Sequence, residues 1–561
     1  MKKQGYKGLA ALAITAVALT GCKLIGEIEY TVEQDPVQMH GDSVRVSITA
    51  TVPEKGLNKK ASAEITPMLG NKAFKTITIQ GEKATGNGQT ITFKPGATVN
   101  YTDAIAYSPS LEKAELKITG KVMKGKIEES LPETKIGDGT VVTPLLVQND
   151  DKAILGTDEF VRTTEQVFDG TQINYDKAKS NVKASELKQD DIVAFIGWMA
   201  EADSNAKVAP KAINLLAYAS PEGETAKNNT LADDRAKSTN DALVAMLAKG
   251  EISGQDLLKA MPKGEDWAGF EKAMLASDIE DKELIIRVLK MYPDPAKREE
   301  EIKKMSATYK VLEKDILPNL RRTQVKVVYD KIGWSDEELK ALSKSNPDTL
   351  TVEELIFIAA KYDNIEDKMR IYKEAVRLYP NDWRGHNNLG YTYYMQNEVS
   401  KASTSFTKAN DLQESAITLN NLGIIARQNG DRDKAEQLFN SAVSAGSEVK
   451  YNLGIIAIQN GNYSDAIANM GSENTFNKAL AEVLNEDYSA ALSTIDASSA
   501  ANTAMGYYLK AIIGARQNNM DMVVNNLTSA ISKDSSLKDK AADDREFIKF
   551  FENAAFQNLV K

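Results

Sequence analysis

One cysteine, two histidines and four tryptophans in 561 residues leave little material for chemistry. The lone thiol, Cys22, excludes an internal disulfide framework and a thiolate metal site. The two imidazoles, His40 and His386, are far apart in the chain, which argues against a histidine zinc site or a serine–histidine triad. Basic excess is missing too. With 69 Lys and Arg against 79 Asp and Glu, the formal charge is −10, and nothing suggests a nucleic-acid footprint. No run is long and apolar enough to span a bilayer, where about 20 residues are needed. Acidic pairs such as Asp190-Asp191, Asp233-Asp234 and Glu299-Glu-Glu301 fall at helix starts or on charged faces, where dipole and solvation reasons suffice. No catalytic constellation, cofactor site or metal set emerges, so a non-enzymatic protein is expected.

What is present begins at the N-terminus. Lys2, Lys3 and Lys7 precede an apolar run, Leu9 to Leu19, of the length of a cleavable export signal. It ends in Leu19-Thr20-Gly21-Cys22, which resembles the lipobox of bacterial lipoproteins. The resemblance implies cleavage of residues 1–21 and lipid on Cys22; an ordinary signal peptide is the competing reading. Several acyl chains on one cysteine would hold the protein to its membrane. From −10, loss of those three lysines leaves −13. The residues after Cys22 lack a tight acidic cluster of the kind surface-exported Bacteroidetes lipoproteins carry. Outer-membrane attachment on the periplasmic side is therefore favoured, with the cell surface as the alternative.

Three regions of different periodicity follow, as the length allows. Residues 22–150 alternate with period two. Val44, Val46, Ile48, Ala50 and Val52 share one face, and shorter runs recur at Thr76–Ile79, Thr90–Phe93 and Leu116–Thr119. Broken by Gly, Pro and Asn, the pattern predicts an all-β sandwich. Residues 155–330 alternate strands and helices, residues 331–350 read as a linker, and residues 351–561 are helical throughout.

The helical region repeats itself. Asn388-Leu-Gly390, Asn421-Leu-Gly423 and Asn452-Leu-Gly454 recur at periods of 33 and 31. Alanine follows each glycine by 12 residues (Ala402, Ala435, Ala466), and a large apolar residue by 16 (Phe406, Phe439, Met470). Weaker copies run through Ala479 and Ala511, and a degenerate leading unit holds Tyr372 and Ala375. The pattern resembles the tetratricopeptide repeat, which implies an α-solenoid whose concave face holds a protein partner. Asn387, Asn388, Asn420 and Asn421 are the candidate partner-binding residues, because paired amides can clamp an extended peptide backbone.

In the middle region, Ala217-Tyr-Ala-Ser-Pro-Glu-Gly223 runs into Asn228-Asn-Thr-Leu-Ala-Asp-Asp-Arg-Ala236. Together with Gly264-Glu-Asp266 and Asn319-Leu-Arg-Arg-Thr-Gln-Val325, this resembles the OmpA-like peptidoglycan-binding domain in its Bacteroidetes form. About 100 residues carry the resemblance, and a helical insertion between Trp267 and Leu317 lies outside it. The family implies an α/β fold that binds the diaminopimelate of a stem peptide. Arg235 matches its carboxylate-binding arginine; Asn228 matches a turn-ordering position, and Arg321 and Arg322 adjoin the site, one of them as a solvated strand end. Ser220 stands where the family has an ammonium-binding aspartate, so Glu222 or Asp234 would have to supply the charge. The competing role for Arg235 is a structural salt bridge to Asp233 or Glu222.

The expectation is thus a multidomain, lipid-anchored envelope adaptor: β-sandwich, OmpA-like domain touching peptidoglycan, and solenoid binding an envelope protein. The alternative is a structural subunit of an outer-membrane or secretion assembly without wall binding.

Overall fold

The computed structural model describes residues 24–561, so Cys22 and the export signal lie outside the described residues. Two compact units form. One joins the described residues before Thr157 to Asp363–Lys561; the other is Thr157–Tyr362.

In the first unit the N-terminal region is all β, in two sheets. Strand Ser43–Val52 buries every second residue, from Val44 to Val52, and pairs with Ala97–Ala106, Glu29–Val32 and Val37–His40. The other sheet centres on Ser62–Leu69 and Glu115–Lys124. Val46 and Ile48 of one sheet and Ile65, Ile118 and Val122 of the other share a single core. Burial on one face of each strand is what the period-two sequence dictates.

The same unit holds five helical hairpins in series, beginning with Trp383–Met395 and Val399–Leu412 and ending with Ala504–Arg516 and Met520–Lys533. The spacing rule seen in sequence has a steric cause. A Cβ on Gly390 or Gly423 would lie 2.7 or 2.6 Å from the rings of Phe406 or Phe439, and one on Gly454 would lie 2.7 Å from Met470. In these three hairpins only glycine lets the second helix bring its large residue against the first. Ala402, Ala435 and Ala466 are fully buried where the two helices meet.

The second unit is a four-stranded sheet in the order Thr163–Asn174, Arg322–Ile332, Val208–Ala219, Leu258–Glu265. The last two strands are parallel and the other pairings antiparallel. Helices Asp190–Ser204 and Thr225–Lys249 pack on it, with Phe195, Leu243, Leu215 and Val327 at the centre. Helices between Trp267 and Val311 build a separate small core around Phe270, Met274, Ile285 and Leu317. Asp294 caps one of them, with Pro295 in its first turn.

The expected linker at 331–350 is instead largely structured. The sheet strand runs on to Ile332, and Asp336–Ser345 is a helix whose Ser335 and Glu338 form a capping box. The next helix, Val352–Ala360, belongs to this unit rather than to the solenoid, with Phe357 stacked on Phe160 at 4.2 Å.

Candidate functional site

The solenoid carries a ladder of buried asparagines, one or two on the first helix of each of four hairpins. Each reads the backbone of residues 148–156, the segment that leaves the β-rich region. Asn388 accepts from the Gly156 N–H at 2.7 Å and donates to the Gly156 carbonyl at 2.9 Å. Asn421 does the same for Ile154 (2.9 and 2.8 Å), and Asn452 for Lys152 (2.7 and 3.1 Å). Asn477 does it for Gln148 (2.7 and 2.9 Å). Asn387 and Asn420 add donors to the carbonyls of Ile154 and Lys152.

The amides also bond one another: Asn421 to Asn387 at 2.8 Å and Asn452 to Asn420 at 2.9 Å. All six side chains are buried. Five of them donate at least two bonds and accept through the carbonyl, and Asn388 donates one and accepts two, where water cannot replace a partner. The segment, here called the strap, runs antiparallel to the order of the repeats. Three successive clamps fall on alternate residues, the spacing of an extended chain at roughly 7 Å per pair.

Side chains fix the register. The Asp151 carboxylate and the Arg427 guanidinium, both almost fully buried, form a two-pronged pair, with Nε to Oδ1 at 2.6 Å. Arg427 also donates to the Asn149 side chain at 3.0 Å. The Asp150 carboxylate accepts from the Tyr451 hydroxyl and the Asn477 amide, both at 2.7 Å. Burial raises the Asp150 carboxyl above its ordinary range, with the Tyr451 hydroxyl and Lys152 opposing. Beside the strap remains a hollow of about 610 Å3, bordered by Tyr391, Tyr394, Met395 and Glu448.

The four asparagines chosen from sequence thus come together on a peptide backbone, and the backbone is the chain's own. Two more, Asn452 and Asn477, complete the ladder. Asn452 stood in the quoted repeat, and Asn477 lies two residues before Ala479, the copy in which alanine replaces the glycine. Arg427, four residues after Gly423, carried no sequence signal.

In the second unit, the predicted cluster is occupied by its own groups. Arg235 is fully buried and donates to three backbone carbonyls: Tyr218 (2.8 Å), Lys179 (3.0 Å) and Asp176 (3.3 Å). Its guanidinium stacks over Tyr175, and burial lowers its pKa to about 10. No salt bridge to Asp233 or Glu222 forms. Asp233 and Asp234, two positions and one position before Arg235 on the helix, face solvent.

Glu222 turns instead to Arg321 at 2.9 Å, receives the Ser220 hydroxyl at 2.7 Å, and meets Lys177 at 3.0 Å. Burial pushes the Glu222 carboxyl up, but Ser220, Lys177 and Arg321 outweigh it and leave the pKa lowered. Asn228 ties the Glu222 carbonyl to Glu265. Arg322 pairs with Asp266 at 2.8 Å, so neither Arg321 nor Arg322 is a solvated strand end.

The helical insertion completes the closure. The Gly223 N–H donates to Glu299, Lys177 also binds Glu313, and about 10 Å3 remains beside Pro221, room for one water at most. Glu299 was expected on a solvated face; its side chain is instead mostly buried against this turn.

A lowered carboxyl contributes stability above its unfolded pKa and loses it as pH falls through the folded value. Hydrogen exchange at the Ser220–Gly223 turn should therefore quicken as pH drops below about 4.5, after correction for intrinsic exchange rates. Glu222→Gln should remove that dependence; an unchanged acid profile would contradict the pairing.

Among the described residues no three His, Cys, Asp or Glu side chains gather to hold a metal, and no helix is long and apolar enough to cross a membrane. A tetratricopeptide repeat family model matches residues 420–469. BBSome complex member BBS4 of Bos taurus is 30% identical over 105 residues, 18% of this chain and 20% of that protein. The chain thus spans about a fifth of the length of the curated relatives it matches. A solved tetratricopeptide repeat protein from Parabacteroides merdae is 16% identical, covering 40% of this chain and 89% of that one, with a TM-score of 0.28. PilF of Pseudomonas aeruginosa is 15% identical, covering 40% and 97%, also with a TM-score of 0.28. The C-terminal region of the chain is built of tetratricopeptide repeats, a module of protein–protein interaction.

Proposed function

We propose that this chain is a non-enzymatic envelope scaffold, tethered by lipid on Cys22 to the periplasmic side of the outer membrane. Its solenoid unit serves a protein assembly, and the middle unit is a structural body that does not bind the wall. The lipobox-like Leu19-Thr20-Gly21-Cys22 supports the anchor. The observation that carries the rest is the state of the arginines. Arg235 is spent on three carbonyls, Glu222 neutralises Arg321 and Asp266 neutralises Arg322. A stem-peptide carboxylate would have to take Arg321 from Glu222, leaving a mostly buried carboxylate to Lys177 and Ser220 and setting two carboxylates side by side, an arrangement that costs free energy.

The wall-binding adaptor is the second reading. The sheet order, and a Ser220-Pro-Glu-Gly turn leading into the helix of Arg235, support it as the arrangement the OmpA-like resemblance implies. The lipid-free protein incubated with insoluble peptidoglycan is expected to stay in the supernatant. Sedimentation that free diaminopimelate-containing stem peptide competes away would overturn the scaffold reading and restore the wall contact.

A further inference from the structure

We infer that the asparagine ladder is a receptor for an extended peptide read through its backbone and an aspartate pair, and that the strap at 148–156 is its permanent ligand. A protein partner of the solenoid therefore meets some other surface. This goes beyond the scaffold reading and depends on neither lipid nor wall.

Three observations make the occupancy permanent rather than a resting state. The recognition is complete: four residues have both backbone groups engaged by one asparagine each, and Asp151 neutralises the buried Arg427. Removing the strap would strand six buried amides and the Arg427 charge at once.

Second, there is no slack. Leu146, two residues before the first clamp, is packed into the solenoid's own core beside Tyr451 and Ile455. Thr143 bonds Glu546, which in turn holds the buried Arg516 at 2.6 Å.

Third, the β-rich region is docked independently of the strap. Asp42 pairs with Arg432 at 2.8 Å, and His40 packs on Tyr463 with ring centroids 5.3 Å apart. The chain that leads into the strap is therefore held at several points before the first clamp. An outside peptide making the same contacts competes with a tethered one, whose effective concentration is on the order of millimolar or more. At about 10 µM it would displace about 1% of the strap.

The probe is a fluorescent peptide of residues 148–156, Gln-Asn-Asp-Asp-Lys-Ala-Ile-Leu-Gly, titrated onto the full chain and followed by anisotropy. Native protein should show almost no binding at about 10 µM. In Asp151→Lys/Ile154→Pro the strap opposes Arg427 with a like charge and loses the N–H that Asn421 accepts. Occupancy at that concentration should rise by tens of fold, and adding Arg427→Ala should abolish it. Binding to native protein as strong as to the variant would overturn permanence. A folded variant that binds no peptide would overturn the receptor. Should that variant unfold, Asp151→Asn keeps the backbone contacts and weakens only the charge. Binding above native that Arg427→Ala removes supports the proposal, and no gain over native contradicts it.

Discussion

Arg427→Ala is expected to cost the unit that contains the strap about 3–5 kcal/mol, the penalty for orphaning one member of a buried ion pair. The partner left behind is Asp151, whose carboxylate has no exposed side-chain surface and takes its charged contacts from Arg427 alone. Gln428 reaches it only at 3.5 Å. The Asn149 side chain loses its donor as well. A surface pair in the same unit provides the contrast. Asp42 is 71% exposed, so Arg432→Ala should cost no more than about 1 kcal/mol.

Urea unfolding measures both. Two compact units allow two transitions, and Arg427→Ala should lower the midpoint of the one reporting the solenoid while leaving that of Thr157–Tyr362 in place. Replacing both partners, in Arg427→Met/Asp151→Leu, should recover much of the loss, because the penalty lies in the unpaired charge more than in the absent pair. A loss under about 1 kcal/mol for Arg427→Ala would mean that Asp151 is solvated and the strap loose.

Patterns carried by side chains were legible in the sequence. Alternation from Val44 to Val52 gave the strand and its buried face. The offset from Gly423 to Ala435 to Phe439 gave the hairpin, since a ring sits where a Cβ would otherwise be. Asn388 and Asn421 were legible as peptide clamps because their amides have no helical purpose of their own. The strap was not legible. A segment recognised through N–H and C=O needs no particular side chains, so Lys152, Ala153 and Ile154 read as an ordinary connection. Asp150 and Asp151 are specified, but their partners Tyr451 and Arg427 lie 301 and 276 residues away.

The same limit explains Arg235. A charged side chain in a resembling motif suggested a charged partner, yet the fold supplies carbonyls from Asp176 and Lys179, which no sequence position advertises. Glu222 was legible as a group within reach of the site, but not as the one that closes it on Arg321. The helix at Asp336–Ser345 was in principle readable from Ser335-Asp-Glu-Glu338, a capping-box signature placed in what looked like a linker.

Whether the chain occupies its own groove is tested most directly by hydrogen exchange of the strap, resolved to single residues in the full-length protein. The N–H groups of Lys152, Ile154 and Gly156 point to the ladder, and those of Ala153 and Leu155, by the period of an extended chain, point away. The clamped amides should open only when the unit unfolds, which for a stability of 5 kcal/mol or more slows exchange by roughly 1,000-fold or more. The intervening amides should exchange orders of magnitude faster. Alternating protection along 152–156 is the expected result; uniformly fast exchange would show an open groove and contradict it.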